Sequence, residues 1–250
     1  MKPATMRATI LGSSGGAPSA TRETSCVLVR EGRHALLLDL GSGVRRILAG
    51  TPSLHDIDHV DAVLTHFHFD HVCGLPFLQW LDVDVTLWAP GAWLYDTPSA
   101  EILAALRTPP ISPNDITSWP LEELREGEQS LSGFTLRAGP QPHHWAPSCG
   151  LRVDDELAYV TDTAYEDSSI ELARGVRHLL HEAWSTSTAP RHTESHATAA
   201  DAGRVASGAG VETLTLIHID PDLDDVAALA DDARSQFAVA VVAEDGMELS

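Results

Sequence analysis

The residues of this chain that could do chemistry are concentrated between Thr65 and His71, directly after the largely apolar run at 60–64. Three histidines and one aspartate fall within six consecutive positions: His66, His68, Asp70 and His71. Imidazole and carboxylate groups together are ligands that zinc and similar divalent metals prefer. The alternative is an exposed loop that happens to be rich in histidine. Such a loop would not be expected to follow a buried-looking strand with histidines at alternate positions.

The spacing within this stretch predicts two metal positions side by side. If a strand ends near Thr65, His66 and His68 point in the same direction, because side chains alternate along an extended chain. Asp70 and His71 would then begin a helix and face a second point. One stretch cannot fill both positions, so other parts of the chain must supply the missing ligands.

Further candidate ligands follow predicted strands: His144 after a proline-rich turn, Asp162 after 157–161 and His218 after 214–217. Each has an ordinary explanation by itself, as a turn or packing residue. Together they predict a first metal position with His66, His68 and His144, a second with Asp70, His71 and His218, and Asp162 as the bridge. Two cations roughly 3.5–4 Å apart would share a water as hydroxide and clamp the attacking and leaving oxygens of a substrate.

The elements that must position these residues are mostly strands. The expected strands cover 6–11, 25–29, 35–40, 60–64, 83–88, 131–137, 151–153, 157–161, 178–181, 214–217 and 237–242. The expected helices cover 44–48, 74–81, 98–106, 170–174, 197–206 and 221–235, the last with Asp220 as its N-cap. No linker divides the halves, so the prediction is one domain over 1–250, with sheets inside and helices outside.

Composition limits the possible partners. The 250 residues include 16 basic and 36 acidic ones, for a formal charge of −20, which repels polyanions and gives no electrostatic footprint for nucleic acid. No apolar run approaches the roughly 20 residues of a membrane span. The first five residues lack the apolar segment of a secretory signal, so a cytoplasmic location is expected. Three widely spaced cysteines argue against a disulfide framework.

The stretch from Thr65 to His71 resembles the His-x-His-x-Asp-His signature of the metallo-β-lactamase superfamily. Five other segments are similar to motifs of its ribonuclease Z branch, namely 11–18, 39–43, 161–163, 181–183 and 196–198. The resemblance implies an α/β fold built as a four-layer αββα sandwich, a binuclear centre with zinc or manganese, and a homodimer. It also selects His144 over His143, because His144 has the family's spacing to Gly150.

The same resemblance implies a catalytic pair. The histidine matching His196 would be held by the glutamate matching Glu182 and would protonate the leaving oxygen, a role that suits an imidazole titrating near neutral pH. Asp70 could accept a proton from the metal-bound water while also ligating. Asp39 has two readings of equal weight, a plain turn residue or a partner that orients a metal-bound histidine.

Two departures from the branch bear on the substrate. Only 17 residues separate His144 from Asp162, so the exosite arm that ribonuclease Z uses for tRNA is absent, and 219–222 is acidic where the family often has a basic residue. We therefore expect a phosphodiesterase acting on a small or cyclic phosphodiester. The alternatives are a tRNA 3′ processing endonuclease, an ester, thioester or lactone hydrolase, and a non-catalytic metal-binding scaffold.

Overall fold

The structure is a computed structural model that describes residues 6–250, and it contains two seven-stranded sheets. The strands of the first sheet are Arg7–Gly12 (β1), Cys26–Glu31 (β2), His34–Leu38 (β3), His59–Val63 (β4), Asp84–Ala89 (β5), Leu121–Glu123 (β6) and Glu248–Leu249 (β14). Those of the second are Gly127–Leu131 (β7), Phe134–Gln141 (β8), Ser148–Val153 (β9), Leu157–Val160 (β10), His178–Glu182 (β11), Thr213–Ile217 (β12) and Ala240–Val242 (β13).

Each sheet is antiparallel on one side and parallel on the other. The strand orders are β14-β1-β2-β3-β4-β5-β6 and β13-β12-β11-β10-β9-β8-β7. Strands β3 to β6 run parallel to one another, as do β10 to β13. The carboxyl ends of parallel strands meet at one edge of a sheet, where side chains from several strands converge.

Short helices cover the outer faces of the two sheets. They are Arg45–Leu48 (α1), Phe69–Val72 (α2), Gly91–Leu94 (α3), Ser99–Ile102 (α4), Ala104–Arg107 (α5), Asp167–Ala173 (α6), Ala199–Ala209 (α7) and Ala227–Arg234 (α8), with 3-10 helices at Ser42–Val44 and Leu75–Trp80. Thr198 and Asp201 form a reciprocal capping box at the start of α7, which fixes the chain just after His196.

Three layers of apolar packing hold the fold together. The central layer joins the inner faces of both sheets, with Leu36 and Val63 of the first sheet in the same cluster as Leu151 and Tyr159 of the second. A second cluster lies on the outer face of the first sheet, and a third lies between the second sheet and α6, α7 and α8. The predicted four-layer αββα sandwich is confirmed. Within residues 6–250, no helix is long and apolar enough to cross a membrane.

Several predicted elements differ from those in the structure. The segment 131–137 is not one strand, because the chain reverses at Gly133 with a φ of 85° and forms the β7–β8 hairpin. The segment 98–106 is two short helices that meet at Leu103. Asp220 does not cap a helix: it forms a turn with the backbone N–H of Asp222 (2.9 Å), and α8 begins six residues later than predicted, at Ala227.

Candidate metal centre

The candidate ligands stand just beyond the ends of parallel strands. Asp39 and His218 are the residues immediately after β3 and β12. Asp162 lies two positions after the last residue of β10, and the 65–71 stretch begins two positions after the last residue of β4. Asp39, Asp162 and His218 have left-handed backbones, with φ values of 59°, 51° and 51°. Such conformations cost roughly 1–3 kcal/mol for residues other than glycine and are concentrated at functional sites. The chain therefore turns sharply where each of these three side chains enters the cluster.

One group of potential ligand atoms comes from three histidines and Asp162. These atoms, on His66, His68, His143 and Asp162, all lie within 4.8 Å of one another. His143 Nε2 lies 3.3 Å from His68 Nδ1 and 3.4 Å from Asp162 Oδ1. His66 Nε2 lies 3.9 Å from the same Oδ1 atom.

A second group consists of Asp70, His71 and His218. The Nε2 atoms of the two histidines are 3.4 Å apart, and each also approaches Asp162 Oδ2, at 3.0 Å from His71 and 3.1 Å from His218. Asp162 thus directs one carboxylate oxygen to each group. This is the arrangement expected of a residue that bridges two metals.

The structure places His143 nearer to the first group than the predicted ligand His144, which instead forms a group with His143 and His196. The ring centroid of His143 lies 5.0 Å from that of His68, against 6.2 Å for His144. His144 has a φ of 44° and an exposed side chain, whereas His143 is buried and its Nδ1 lies 3.0 Å from the carbonyl oxygen of Ser195. The family's spacing selected His144 by counting along the chain, whereas the turn that begins at His144 leaves that side chain exposed and the preceding one buried.

The donor set suits divalent cations. His66 Nε2 is buried and has no hydrogen-bond partner among the described residues. Burial lowers the pKa of His66 well below its usual value, and burial also lowers that of His143, to about 4. Both imidazoles are therefore neutral at pH 7 and offer a lone pair, as metal ligation requires.

The second group concentrates negative charge. Burial alone would raise the pKa of Asp162, but the neighbouring His218, His71 and His66 hold it well below its usual value. Burial likewise opposes a charge on His218, yet the neighbouring carboxylates of Asp162, Asp70 and Glu182 raise its pKa to about 10. The carboxylates thus favour positive charge at this point, and divalent cations would compete with the bound protons there.

Asp39 is in hydrogen-bond contact with His71, with Thr65 and with Tyr159 of the second sheet. Its fully buried carboxylate accepts from His71 Nδ1 (2.8 Å) and from the hydroxyl of Tyr159 (2.9 Å) on Oδ2. Its Oδ1 accepts from the backbone N–H (2.8 Å) and the hydroxyl (3.0 Å) of Thr65. The bond to Nδ1 leaves His71 Nε2 facing Asp162, which is how a carboxylate orients a ligating imidazole.

Glu182 and His196 form a buried pair beside the cluster. His196 Nδ1 lies 2.8 Å from Glu182 Oε2, and the other oxygen of Glu182 accepts from the backbone N–H of Thr163. A nitrogen of His196 lies within 4.8 Å of potential ligand atoms of both Asp162 and His218. Because Nδ1 is engaged by Glu182, Nε2 is the ring nitrogen that remains for another partner.

Sequence reasoning did not single out Tyr159 or Trp184, and it set His143 aside in favour of His144. The indole of Trp184 is stacked on His196, with centroids 4.4 Å apart and an interplanar angle of 17°. Its position directly after the 181–183 motif was a signal that could have drawn attention to it. Tyr159 gave no such signal, because a tyrosine within an apolar strand is ordinary core composition.

Known proteins resemble this chain over almost its whole length. A model of the beta-lactamase superfamily domain matches residues 34–219. Ribonuclease Z of Haloarcula marismortui is 28% identical over 98% of this chain and 96% of that protein. The metallo-beta-lactamase fold protein YhfI of Bacillus subtilis has a TM-score of 0.81 at 23% identity, covering 98% of both chains. A diphosphatase from the PhnP family has a TM-score of 0.76 at 21% identity, with the same coverage.

The sandwich, the His/Asp cluster at its strand ends and these relatives define the chain as a metal-dependent hydrolase. Since the matched domain extends over most of the sequence, from β3 to just beyond β12, the chain belongs to the beta-lactamase superfamily.

Proposed function

We propose that this protein is a binuclear phosphodiesterase that hydrolyses a small or cyclic phosphodiester. The observation that carries the proposal is the Glu182–His196 pair (2.8 Å) placed beside two ligand groups that share Asp162. A metal-binding scaffold without catalysis would not need a buried carboxylate to orient an imidazole that, in this proposal, is a ligand at neither metal position.

The ligands in this proposal are those that the structure brings together. His66, His68 and His143 would hold one cation, Asp70, His71 and His218 the other, and Asp162 both. Two divalent cations, with zinc preferred and manganese possible, supply Lewis acidity and a water of lowered pKa when bound.

The protein's own residues would then move the protons. His196, in its cationic form, would donate the Nε2 proton to the leaving oxygen of the phosphodiester, since Glu182 keeps Nδ1 engaged. Asp70 has one oxygen fixed by the backbone N–H of Gly16 (2.8 Å) and is the candidate acceptor for the proton of the attacking water. Glu182 would hold the imidazole in the correct tautomer, as carboxylate partners of catalytic histidines do.

The proposed substrate is small because the structure offers little for a long polyanion. Between Gln141 and Asp162 the chain forms only the β9–β10 hairpin. The alignment with ribonuclease Z of Haloarcula marismortui spans 306 positions, so at least 56 of them have no counterpart in this chain of 250 residues. The formal charge of −20 adds long-range repulsion of RNA.

Processing of tRNA is the second candidate function, and the likeness to that ribonuclease Z over 98% of the chain is the observation in its favour.

We also propose that residues 1–250 form one catalytic domain, which acts in the cytoplasm and is assembled as a homodimer.

A substrate panel tests the proposal. Purified protein supplied with Zn²⁺ or Mn²⁺ is assayed on bis(p-nitrophenyl) phosphate, cyclic nucleotides, pre-tRNA, p-nitrophenyl esters and lactones. We expect turnover of the first two, and His196→Ala should reduce turnover of the cyclic nucleotides, whose leaving group needs a proton, by roughly 10²–10⁴-fold without changing metal content. His55→Ala is the matched control, because His55 is an exposed imidazole whose nearest charged partner is Asp56. Ester or lactone hydrolysis without phosphodiester turnover would refute the proposal, and turnover of pre-tRNA alone would favour the second candidate.

A further inference from the structure

Resting on the proposed function, we propose that Trp184 is a positioning residue that fixes the ring plane of His196 and so directs its proton-donating nitrogen at the leaving oxygen. The juxtaposition that supports this is the parallel stack of the two rings next to the hydrogen bond from His196 to Glu182.

The hydrogen bond to Glu182 does not fix the imidazole by itself. A single bond at Nδ1 sets the distance to the carboxylate but leaves the ring free to pivot about that contact. A flat partner against the ring face removes the remaining freedom. Trp184 supplies that partner, with ring centroids 4.4 Å apart and an interplanar angle of only 17°.

The indole is itself held firmly. The backbone N–H of Trp184 donates to the carbonyl oxygen of Ala197 (3.0 Å). This hydrogen bond links the chain just after Glu182 to the chain just after His196. Gly15 also lies against the indole: a Cβ placed on Gly15 would lie 2.7 Å from the ring of Trp184 and 2.5 Å from that of His218. Only a residue without a side chain fits there.

The ring face, not the indole N–H, is what Trp184 contributes. Its Nε1 is buried and has no hydrogen-bond partner among residues 6–250, so the nitrogen adds no contact. Trp184 also reaches His218, at a centroid distance of 5.5 Å and a more open angle of 36°. A phenylalanine would keep an aromatic face toward His196, whereas leucine would remove it. These two substitutions therefore separate stacking from simple space filling.

The consequence for catalysis depends on the leaving group. A p-nitrophenolate leaves without a proton, whereas the alkoxide of a nucleoside needs one from the general acid. Loss of the Trp184 face should therefore lower kcat mainly for substrates with an alkoxide leaving group. A small displacement of a catalytic group can cost up to about 10²-fold in rate. We expect a decrease of roughly tenfold, because the bond to Glu182 remains.

The experiment compares wild type, Trp184→Leu, Trp184→Phe and Trp80→Leu on a 2′,3′-cyclic nucleotide and on bis(p-nitrophenyl) phosphate. Trp80 is the control, because it is 57% exposed and packs only on Phe77 among the described aromatic rings. For Trp184→Leu we expect the ratio of kcat on the cyclic nucleotide to kcat on bis(p-nitrophenyl) phosphate to decrease roughly tenfold. KM and metal content should stay near those of wild type. Trp184→Phe should restore most of the ratio, and Trp80→Leu should not change it. An equal loss on both substrates would show a merely structural role and overturn the inference.

A spectroscopic measurement tests the same inference without turnover. In the wild-type protein, the carbon-bound protons of His196 should be shifted upfield by the ring current of the indole, and its Nδ1 proton should exchange slowly with water. Trp184→Leu should remove the shift and speed the exchange, and Trp184→Phe should retain much of both. Unshifted His196 signals in the wild type, or unchanged exchange in Trp184→Leu, would refute the inference even if the protein is an active phosphodiesterase. If no phosphodiester is turned over, the proposed function fails, and these signals still support or refute the positioning of His196.

Discussion

Asp39→Asn should weaken metal binding from a position that touches no metal in the proposed site. The carboxylate is fully buried and accepts hydrogen bonds from His71, Tyr159 and Thr65 on its two oxygens. An asparagine fills the same volume but replaces one oxygen with an NH₂ group, which cannot accept. Whichever way the amide is oriented, that NH₂ group faces buried donors.

The magnitude follows from the bonds on one oxygen. With the NH₂ group at the Oδ2 position, the bonds from His71 Nδ1 (2.8 Å) and Tyr159 (2.9 Å) are lost. Hydrogen bonds to a charged group contribute roughly 1.5–3 kcal/mol each, so the free energy of unfolding should decrease by about 3–6 kcal/mol. Loss of the partner that orients a ligating histidine typically lowers metal affinity by about 10–100-fold.

The assay combines urea denaturation with titration of the metal-free protein by Zn²⁺ against a chelating indicator. Asp61→Asn is the matched control, because Asp61 is also buried and accepts from Trp88 Nε1 and the backbone N–H of Ser132, both at 2.8 Å. We expect both variants to lose stability and only Asp39→Asn to lose zinc affinity. Equal zinc affinity in Asp39→Asn and wild type would refute the orienting role of Asp39.

Three further predictions concern the residues around the cluster. His143→Ala should lower the metal content of the purified protein more than His144→Ala, because His143 is the one in contact with His68 in the structure; the reverse order, measured by elemental mass spectrometry, would restore the spacing-based choice. Gly15→Ala should reduce kcat by at least roughly tenfold, because its Cβ would collide with an imidazole and an indole of the site, and an unchanged kcat would show that this loop is free to move. Trp145→Ala should raise KM for a cyclic nucleotide by about 5–150-fold, since this ring is 90% exposed directly after the paired histidines and stacking of a base contributes roughly 1–3 kcal/mol; no effect would exclude it from substrate binding.

Much of the site could be predicted because its signals are local in the sequence. The 65–71 stretch carries four of the candidate ligands within one strand end and one helical turn, and the structure keeps them together. Asp162 and His218 could be predicted because each follows an apolar strand, and the ends of parallel strands meet at one edge of a sheet. The sandwich fold followed from the family resemblance rather than from the pattern of strands.

What the sequence did not predict depends on contacts between distant residues. The choice between His143 and His144 is made by a turn in which one side chain is buried and the next is exposed. Tyr159 reaches Asp39 across the interface between the two sheets, over 120 positions of sequence. Neither contact leaves a periodicity or a motif, so no reading of local pattern could have found them.

The measurement that tests the central claim most directly is the number of divalent ions bound by each chain, counted by elemental mass spectrometry together with protein concentration. We expect close to two ions per wild-type chain, and a clear decrease in Asp162→Asn, because Asp162 contributes an oxygen to each ligand group. A wild-type chain that binds no divalent ion, even after incubation with Zn²⁺ or Mn²⁺, would contradict the assignment of the metal centre and the proposed chemistry with it.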